Sequence, residues 1–275
     1  MDGAAAGAWI EPTLAGWGGR VKNQVPQVYE AYARIFHPAT DEEGNLISWG
    51  EVAAVLGTTA HREMQWHAIV GTYDYSNFEG SKWPGGCPSI SELEEAPLTA
   101  LCAILTRHTT SPQECFFGVS TIHGGVEESF PDEPMLRHPH RDYAVLAGPL
   151  SAVDQIEIEN ANRTSMSFVA FDAAEGEPPP TFEPETGGWG QAPNLIWPQD
   201  RAWFVATEYD FDSTLVGGSR ELIDAILDSA ELEAWEVDPD VSLQADADKV
   251  NPVPDPPPGF TEADEPAIPP SAGDS

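Results

Sequence analysis

The chain has 275 residues, of which 41% are hydrophobic, so it is long and apolar enough to form a buried core. Its 46 acidic and 12 basic residues give a net charge of −34, which disfavours direct binding to nucleic acids and to anionic membranes. No stretch has the length of a membrane span or the pattern of a signal peptide, and the three cysteines match neither a disulfide framework nor a zinc pattern. We therefore expect a soluble cytoplasmic protein with reduced thiols.

The first 110 residues favour helices. Val25 to Phe36 carries apolar residues at helical spacing. The sequence Ser48-Trp49-Gly50-Glu51 is a capping box, and it predicts a helix that ends at Gly57. Further helices are predicted over residues 60–69 and 97–108.

Strand patterns dominate the following residues. Short apolar or alternating runs between turn residues predict strands at 115–122, 143–150, 167–171 and 202–211. A last helix is predicted over 220–230, with Ser219 as its N-cap. Helices collected first and strands second indicate an α+β fold, in which a helical N-terminal part packs on a mostly antiparallel sheet and a final helix follows the last strand.

Two proline-rich segments are expected to lie outside the core. Residues 175–193 predict a long Pro/Gly-rich loop within a single domain that spans residues 1–237. Residues 238–275 hold nine acidic residues and nine prolines against one lysine, with few residues able to form a core. This composition predicts a disordered acidic tail.

The stretch from Asp210 to Thr214 reads DFDST, which resembles the first motif of the haloacid-dehalogenase-like phosphatases. In those enzymes the matching positions, here Asp210 and Asp212, act as nucleophile and as general acid and base. The family also needs later strands that bring a lysine or arginine and magnesium-binding acids. After Asp212 this chain offers one helix and then a tail whose only cation is Lys249.

Two further interpretations of the same stretch stay open. Alternating polarity from Trp203 to Asp212 is typical of a strand with one buried side, and Gly217-Gly218 would then turn the chain into the last helix. Alternatively, oxygen ligands occupy positions 1, 3, 5 and 12 of a calcium-loop pattern: Asp210, Asp212, Thr214 and Glu221. That pattern is incomplete, because position 6 is Leu215 where an EF-hand requires glycine.

Residues 137–143, RHPHRDY, form a dense cationic patch. Pro139 favours an extended backbone that would place His138 and His140 on one side, where they would bind a metal or relay a proton. Alternatively, Arg137 and Arg141 pair with the protein's own carboxylates beside a strand.

Nine tryptophans are a high number for a chain of this length. Trp189 and Trp197 lie in the Gly- and Pro-rich contexts GGWGQ and IWPQD. Such residues form a sugar- or peptide-binding surface when they are exposed on loops, or hold loops against the core when they are buried. We retain both tryptophans and the RHPHRDY cations as candidate binding residues.

A longer region resembles an uncharacterised family of proteins from high-GC Gram-positive bacteria, the actinobacteria. The resemblance rests on APNLIWPQDRAWFVATEYDFDSTLVGGSRELIDAIL, together with VYEAYARIFHPA and WGEVAAVLG. Its most specific part is W-P-x-D-R-A-W-x-V-A-T-E, followed by x-D-x-D-S-T. No activity is known for that family, so the resemblance implies a bacterial cytosolic setting and no mechanism.

These observations predict an acidic binding or interaction protein that has no catalytic activity and needs no cofactor. The expected partner is a protein with a basic surface, and one concrete version is an immunity-type inhibitor of a nuclease toxin. The alternative is a divalent-metal-dependent, phosphatase-like hydrolase centred on Asp210 and Asp212, with Mg²⁺ or Ca²⁺ as its cofactor.

Overall fold

A computed structural model of the chain describes residues 3–16, 18–123, 135–137, 141–158, 189–190 and 192–255. The helices in this part are α1 (Gly3–Gly7), α2 (Val21–Gln24), α3 (Trp49–Leu56), α4 (Trp66–Ile69), α5 (Glu95–Leu105) and α6 (Arg220–Leu227). Among the described residues, every helix is too short or too polar to cross a membrane.

The strands of the described residues form one large sheet and two small ones. They are β1 (Ala31–Phe36), β2 (Ala39–Thr40), β3 (Leu46–Ile47), β4 (Cys115–Ser120), β5 (Met135–Arg137), β6 (Asp142–Gly148), β7 (Glu157–Ile158), β8 (Trp189–Gly190), β9 (Leu195–Pro198), β10 (Phe204–Ala206), β11 (Ser213–Gly218) and β12 (Ala234–Glu236). The large sheet has the order β12-β1-β11-β10-β9-β4-β6-β5, and its neighbouring strands are antiparallel. The small sheets pair β2 with β3 and β7 with β8. The predicted α+β fold with a mostly antiparallel sheet is confirmed.

Both faces of the large sheet are covered. On one face, α5 and α6 pack on the sheet through Leu101, Leu105, Ile223 and Ile226, which are all buried. On the other face, a second apolar cluster joins the sheet to α1, α2 and residues 237–243. Strands that are buried on both faces lose the polar alternation of an exposed sheet, and β1, β4 and β11 are buried along their whole lengths.

A third apolar cluster lies at one end of the sheet and holds α3 and α4. Its centre consists of Trp49 and Trp66, whose rings are 5.2 Å apart, and Phe36, which lies 4.7 Å from Trp49. The Trp49 indole donates to the carbonyl of His37 at 2.8 Å. These rings fix α3 to the end of β1.

The predicted caps are present at α3 and α6. Ser48 and Glu51 form the capping box of α3, and Gly57 ends that helix in the left-handed conformation at φ 74°. Ser219 accepts a hydrogen bond from the backbone N–H of Leu222 at the start of α6. The helix α6 follows β11 as predicted, and the short edge strand β12 comes after it.

The helix predicted from Val25 to Phe36 is wrong, because residues 31–36 form β1 in the interior of the large sheet. The apolar residues of this run fit both the helical and the strand period. Pairing on both sides decides between them, since Tyr32 lies opposite Gly217 and Arg34 lies opposite Trp235. The helix predicted over 60–69 is reduced to α4.

The strand predicted over 202–211 is also shorter than expected, and the predicted turn at Gly217-Gly218 is wrong. Both glycines lie in β11. A Cβ atom at Gly217 would lie 2.6 Å from the Tyr29 ring, and one at Gly218 would lie 2.5 Å from Leu222. Glycine is therefore required here for close packing and not for a turn.

The predicted disordered tail starts too early. Residues 238–255 are described, and Val241, Leu243 and Asn251 are buried. The backbone of Val21 donates to the carbonyl of Val241 at 3.1 Å, and Leu243 donates to Gly19 at 2.8 Å. Polar composition misled the prediction, because a few apolar side chains and backbone hydrogen bonds are enough to dock this segment. Residues 256–275, most of the loop 175–193 and the strand expected at 167–171 lie outside the described residues.

Candidate functional site

The phosphatase-like stretch forms the connection between β10 and β11. These two strands make an antiparallel hairpin, and residues 207–212 link them. The backbone of Phe211 donates to the carbonyl of Glu208 at 3.1 Å, which closes a turn around Asp210. Because Asp210 and Asp212 lie in this connection, they do not share one face of a strand as the phosphatase interpretation requires.

Asp210 lies on the outer side of the connection, where its side chain is 67% exposed. Its carboxylate accepts a hydrogen bond from Arg141 at 2.7 Å, and Glu208 accepts from the same guanidinium at 2.6 Å. The guanidinium also lies 5.3 Å from the centre of the Tyr209 ring. Arg141 thus pairs with the protein's own carboxylates, beside the start of β6.

Asp212 faces the interior, where its side chain is 18% exposed and Arg34 lies 3.6 Å away. Burial raises the pKa of Asp212, while Arg34 acts in the opposite direction. Burial also lowers the pKa of Arg34 to about 10, so its guanidinium stays charged at neutral pH. It donates to the Ser213 hydroxyl at 2.9 Å and to the Met64 carbonyl at 3.3 Å.

A buried chain of hydrogen bonds runs beside this ion pair. His37 is fully buried, and its Nδ1 lies 2.7 Å from the carbonyl of Ser89, so Nδ1 carries the proton. Its Nε2 lies 2.9 Å from the Thr214 hydroxyl, which in turn lies 2.8 Å from that of Thr207. In this tautomer Thr207 donates to Thr214, and Thr214 donates to His37. Burial lowers the pKa of His37 to about 4, which keeps the ring neutral.

The residues of the proposed calcium loop are not brought together. Thr214 is buried and used by His37, whereas Glu221 lies in the first turn of α6. The rest of β11 runs between them, four residues or about 13 Å at about 3.3 Å per residue, before the chain turns into α6. Among the described residues, no group of three His, Cys, Asp or Glu side chains is arranged to hold a metal ion.

The other predicted binding residues lie in different parts of the structure. Trp197 is 1% exposed and stacks with Phe116 and Phe204 at 5.5 and 6.0 Å, so it belongs to the core and not to an exposed binding surface. Trp189 lies in β8 and Arg137 in β5, with their side chains outside the described part. His138 and His140 also lie outside the described residues.

A groove that the sequence patterns did not predict opens at the end of β1. It has a volume of about 620 Å³, within the usual range of binding sites, and lies between β3, the starts of α3 and α5, and the connection from α6 to β12. We call it the acidic groove. Its apolar lining includes Phe36, Leu46, Ile47, Pro97 and Leu232, and its carboxylates are Glu51, Glu231 and Glu233.

Glu233 fixes one wall of the acidic groove. Its two carboxylate oxygens accept the backbone N–H groups of Trp49 and Gly50 at 2.6 and 2.8 Å, at the N-terminus of α3. Burial raises the pKa of Glu233, these two hydrogen bonds lower it, and the nearby Glu51 raises it again. The residues that form these two contacts are 184 and 183 positions apart, so local sequence carries no signal for them.

No family model, curated protein or solved structure matches the chain. The resemblance to actinobacterial proteins that carry W-P-x-D-R-A-W therefore stays a prediction. In the structure, this motif supplies the end of β9 and the turn to β10, where Asp200 accepts hydrogen bonds from Thr109 and Thr110. Its residues Trp197 and Trp203 are buried, so the motif serves packing of the sheet.

Proposed function

We propose that this protein is a non-catalytic interaction protein whose acidic surface binds a basic protein partner. The observation that carries the proposal is the net charge of −34, together with the ion pairs that lysines and arginines form within the molecule. An excess of carboxylates on a surface attracts cationic partners and speeds their association. An immunity-type inhibitor of a basic toxin is one form that such a protein takes.

The protein's own carboxylates already engage several of its lysines and arginines. Among the described residues, six of these cations form ion pairs: Lys22 with Asp240, Arg34 with Asp212, Arg62 with Asp238, Arg141 with Glu208 and Asp210, Arg220 with Asp224 and Glu236, and Lys249 with Asp246. These eight carboxylates are few beside the 46 acidic residues of the chain. The net negative charge that these ion pairs leave uncompensated attracts a cationic partner.

The alternative hydrolase gains no support from the arrangement of its central residues. Asp210 is held by Arg141 on the surface, and Asp212 is held by Arg34 in the interior. A nucleophilic carboxylate and its acid partner would have to face one substrate, whereas these two lie on different sides of the connection. We therefore do not propose a hydrolase function for this protein.

The proposal is tested by affinity capture followed by titration. The purified chain is immobilised at low salt, bound proteins from a bacterial lysate are eluted with a salt gradient, and the main binder is produced separately for calorimetry. We expect a basic protein whose affinity falls steeply as salt rises, because screening weakens the attraction. Capture of no basic protein at low salt would contradict the proposal.

A further inference from the structure

We propose that the acidic groove is the surface that receives the partner, and that its occupant is an extended segment of that protein carrying arginine or lysine beside apolar residues. This inference rests on the proposed function and adds the location and the chemistry of the contact. The groove combines an apolar wall with several carboxylates, which is the pairing that a long cationic side chain requires.

The apolar wall is open to solvent. Leu46 is 48% exposed on the short strand β3, and Ile47 beside it is half-buried. Phe36 and Leu232 are buried beneath them and give the groove an apolar base. The methylene stem of an arginine or lysine, or a neighbouring leucine, would cover this surface and remove it from water.

The carboxylates of the groove have no cation of their own among its lining residues. Glu51, Glu231 and Glu233 contribute, and the described lining contains no lysine or arginine. Glu51 lies in the first turn of α3, close to Glu233, whose carboxylate accepts the backbone N–H groups of Trp49 and Gly50 at the start of the same helix. A guanidinium or ammonium group in the groove would lie beside these carboxylates and offset their like charges.

Charge complementarity selects the occupant. Residues 256–275 of this chain contain four acidic residues and no lysine or arginine, so they carry the same sign of charge as the groove. A second copy of the chain also carries −34. Like charges across an interface cost binding free energy, so a basic segment of another protein is the occupant that the groove favours.

The test uses a short peptide of alternating arginine and leucine, and a control peptide in which citrulline replaces arginine. Citrulline keeps the shape of the side chain and removes its charge. Binding to the whole chain is followed by NMR at low salt. We expect the arginine peptide to shift the backbone amide signals of Leu46, Glu231 and Leu232, and the citrulline peptide to leave them unchanged.

The variant Glu231→Lys reverses one exposed charge in the groove, and we expect it to weaken the arginine peptide about tenfold. The matched control is Glu11→Lys, an equal change at an exposed residue in a short 3₁₀ helix on the opposite face of the sheet. It should change the affinity less than about twofold. A third variant, Glu51→Gln, keeps an acceptor for the capping box and should weaken the peptide about threefold.

Equal binding of both peptides, or an equal loss in Glu231→Lys and Glu11→Lys, would overturn the groove as the site. The two proposals fail separately. A captured basic protein that binds Glu231→Lys as tightly as the wild type refutes the groove and leaves the proposed function standing. Peptide binding in the groove without any basic protein in the capture experiment supports the site and removes the proposed function.

Discussion

Asp210 and Asp212 are separated by one residue, and each pairs with one arginine, yet their surroundings differ. Asp210 lies at the surface with its side chain 67% exposed, and it shares Arg141 with Glu208, whose side chain is only 8% exposed. The Asp212–Arg34 pair lies in the interior, where the Arg34 side chain is 1% exposed. Two aspartates at the spacing of a catalytic pair therefore do not face one substrate here, because the backbone between them places their side chains on different sides of the connection.

The largest loss of stability is expected at the buried pair of Asp212 and Arg34. We expect Arg34→Met to lower the free energy of unfolding by about 3–5 kcal/mol, because Asp212 would remain buried without its counter-charge. Urea denaturation followed by tryptophan fluorescence measures the loss. The double variant Arg34→Met/Asp212→Asn should lose less than the sum of the two single variants. A loss below about 1 kcal/mol in Arg34→Met would show that the pair is not a stabilising element.

Acid should also lower the free energy of unfolding, through the buried residue His37. The pKa of His37 is about 4 in the folded protein, below its usual value of 6.5, so the unfolded chain binds more protons between these values. The stability that neutral His37 provides is present above pH 6.5 and is lost as the pH falls toward 4, by up to about 3 kcal/mol.

The variant His37→Gln isolates this contribution, since glutamine still donates to the Ser89 carbonyl and accepts from Thr214. Unfolding free energies of both proteins are measured from pH 7 to pH 4. The difference between wild type and variant should shrink over this range. A difference that stays constant with pH would contradict the assignment, because the effects of His67 and the other titrating groups are common to both proteins.

The ion pairs of Arg141 should contribute less to stability than the Asp212–Arg34 pair, and the exposed Asp210 should contribute least. We expect Arg141→Gln to lower the free energy of unfolding by about 2 kcal/mol, because it leaves the Glu208 carboxylate, whose side chain is 8% exposed, without its counter-charge. Asp210→Asn should cost less than about 0.5 kcal/mol, since Arg141 keeps Glu208 as its partner. Denaturation at low and high salt checks both values. A cost for Asp210→Asn as large as that of Arg34→Met would remove the distinction between the two sides.

Divalent cations should have the smallest effect. Because both aspartates are engaged by arginines and Thr214 is used by His37, we expect Mg²⁺, Ca²⁺ and EDTA to shift the melting temperature equally in wild type and Asp212→Asn, through screening of the net charge of −34 alone. The comparison of wild type with Asp212→Asn serves as the control. A rise in melting temperature that depends on Asp212, together with turnover of a generic phosphate ester, would restore the hydrolase alternative.

Local signals in the sequence predicted the elements that local contacts determine. The capping box at Ser48 and Glu51, the helix stop at Gly57 and the Ser219 cap all form between neighbours in the chain. The prediction for residues 31–36 was wrong, because distant contacts determine their structure. Their apolar pattern fits two periods, and the choice is made by strands that come about 180 positions later, as the Arg34–Ser213 hydrogen bond shows with a separation of 179.

The candidate site was less predictable than the fold. Asp210 and Asp212 were identified as notable residues, but their partners Arg141 and Arg34 lie 69 and about 180 positions away. The acidic groove depends on Glu233 meeting the start of α3 across a similar distance. A lone arginine within the apolar run AYARIF was the one local hint, since a charge in a buried strand requires a partner.

During translation, β1 leaves the ribosome long before either of its partner strands exists. At about 5–20 residues per second, synthesis of the 179 positions that separate Arg34 from Ser213 takes roughly 10–40 s. Throughout this time, a strand that is fully buried in the folded protein has no partner, and such segments aggregate readily. Arg34, the residue that pairs with Asp212 after folding, places a positive charge within this apolar run, and a charge in such a run opposes aggregation.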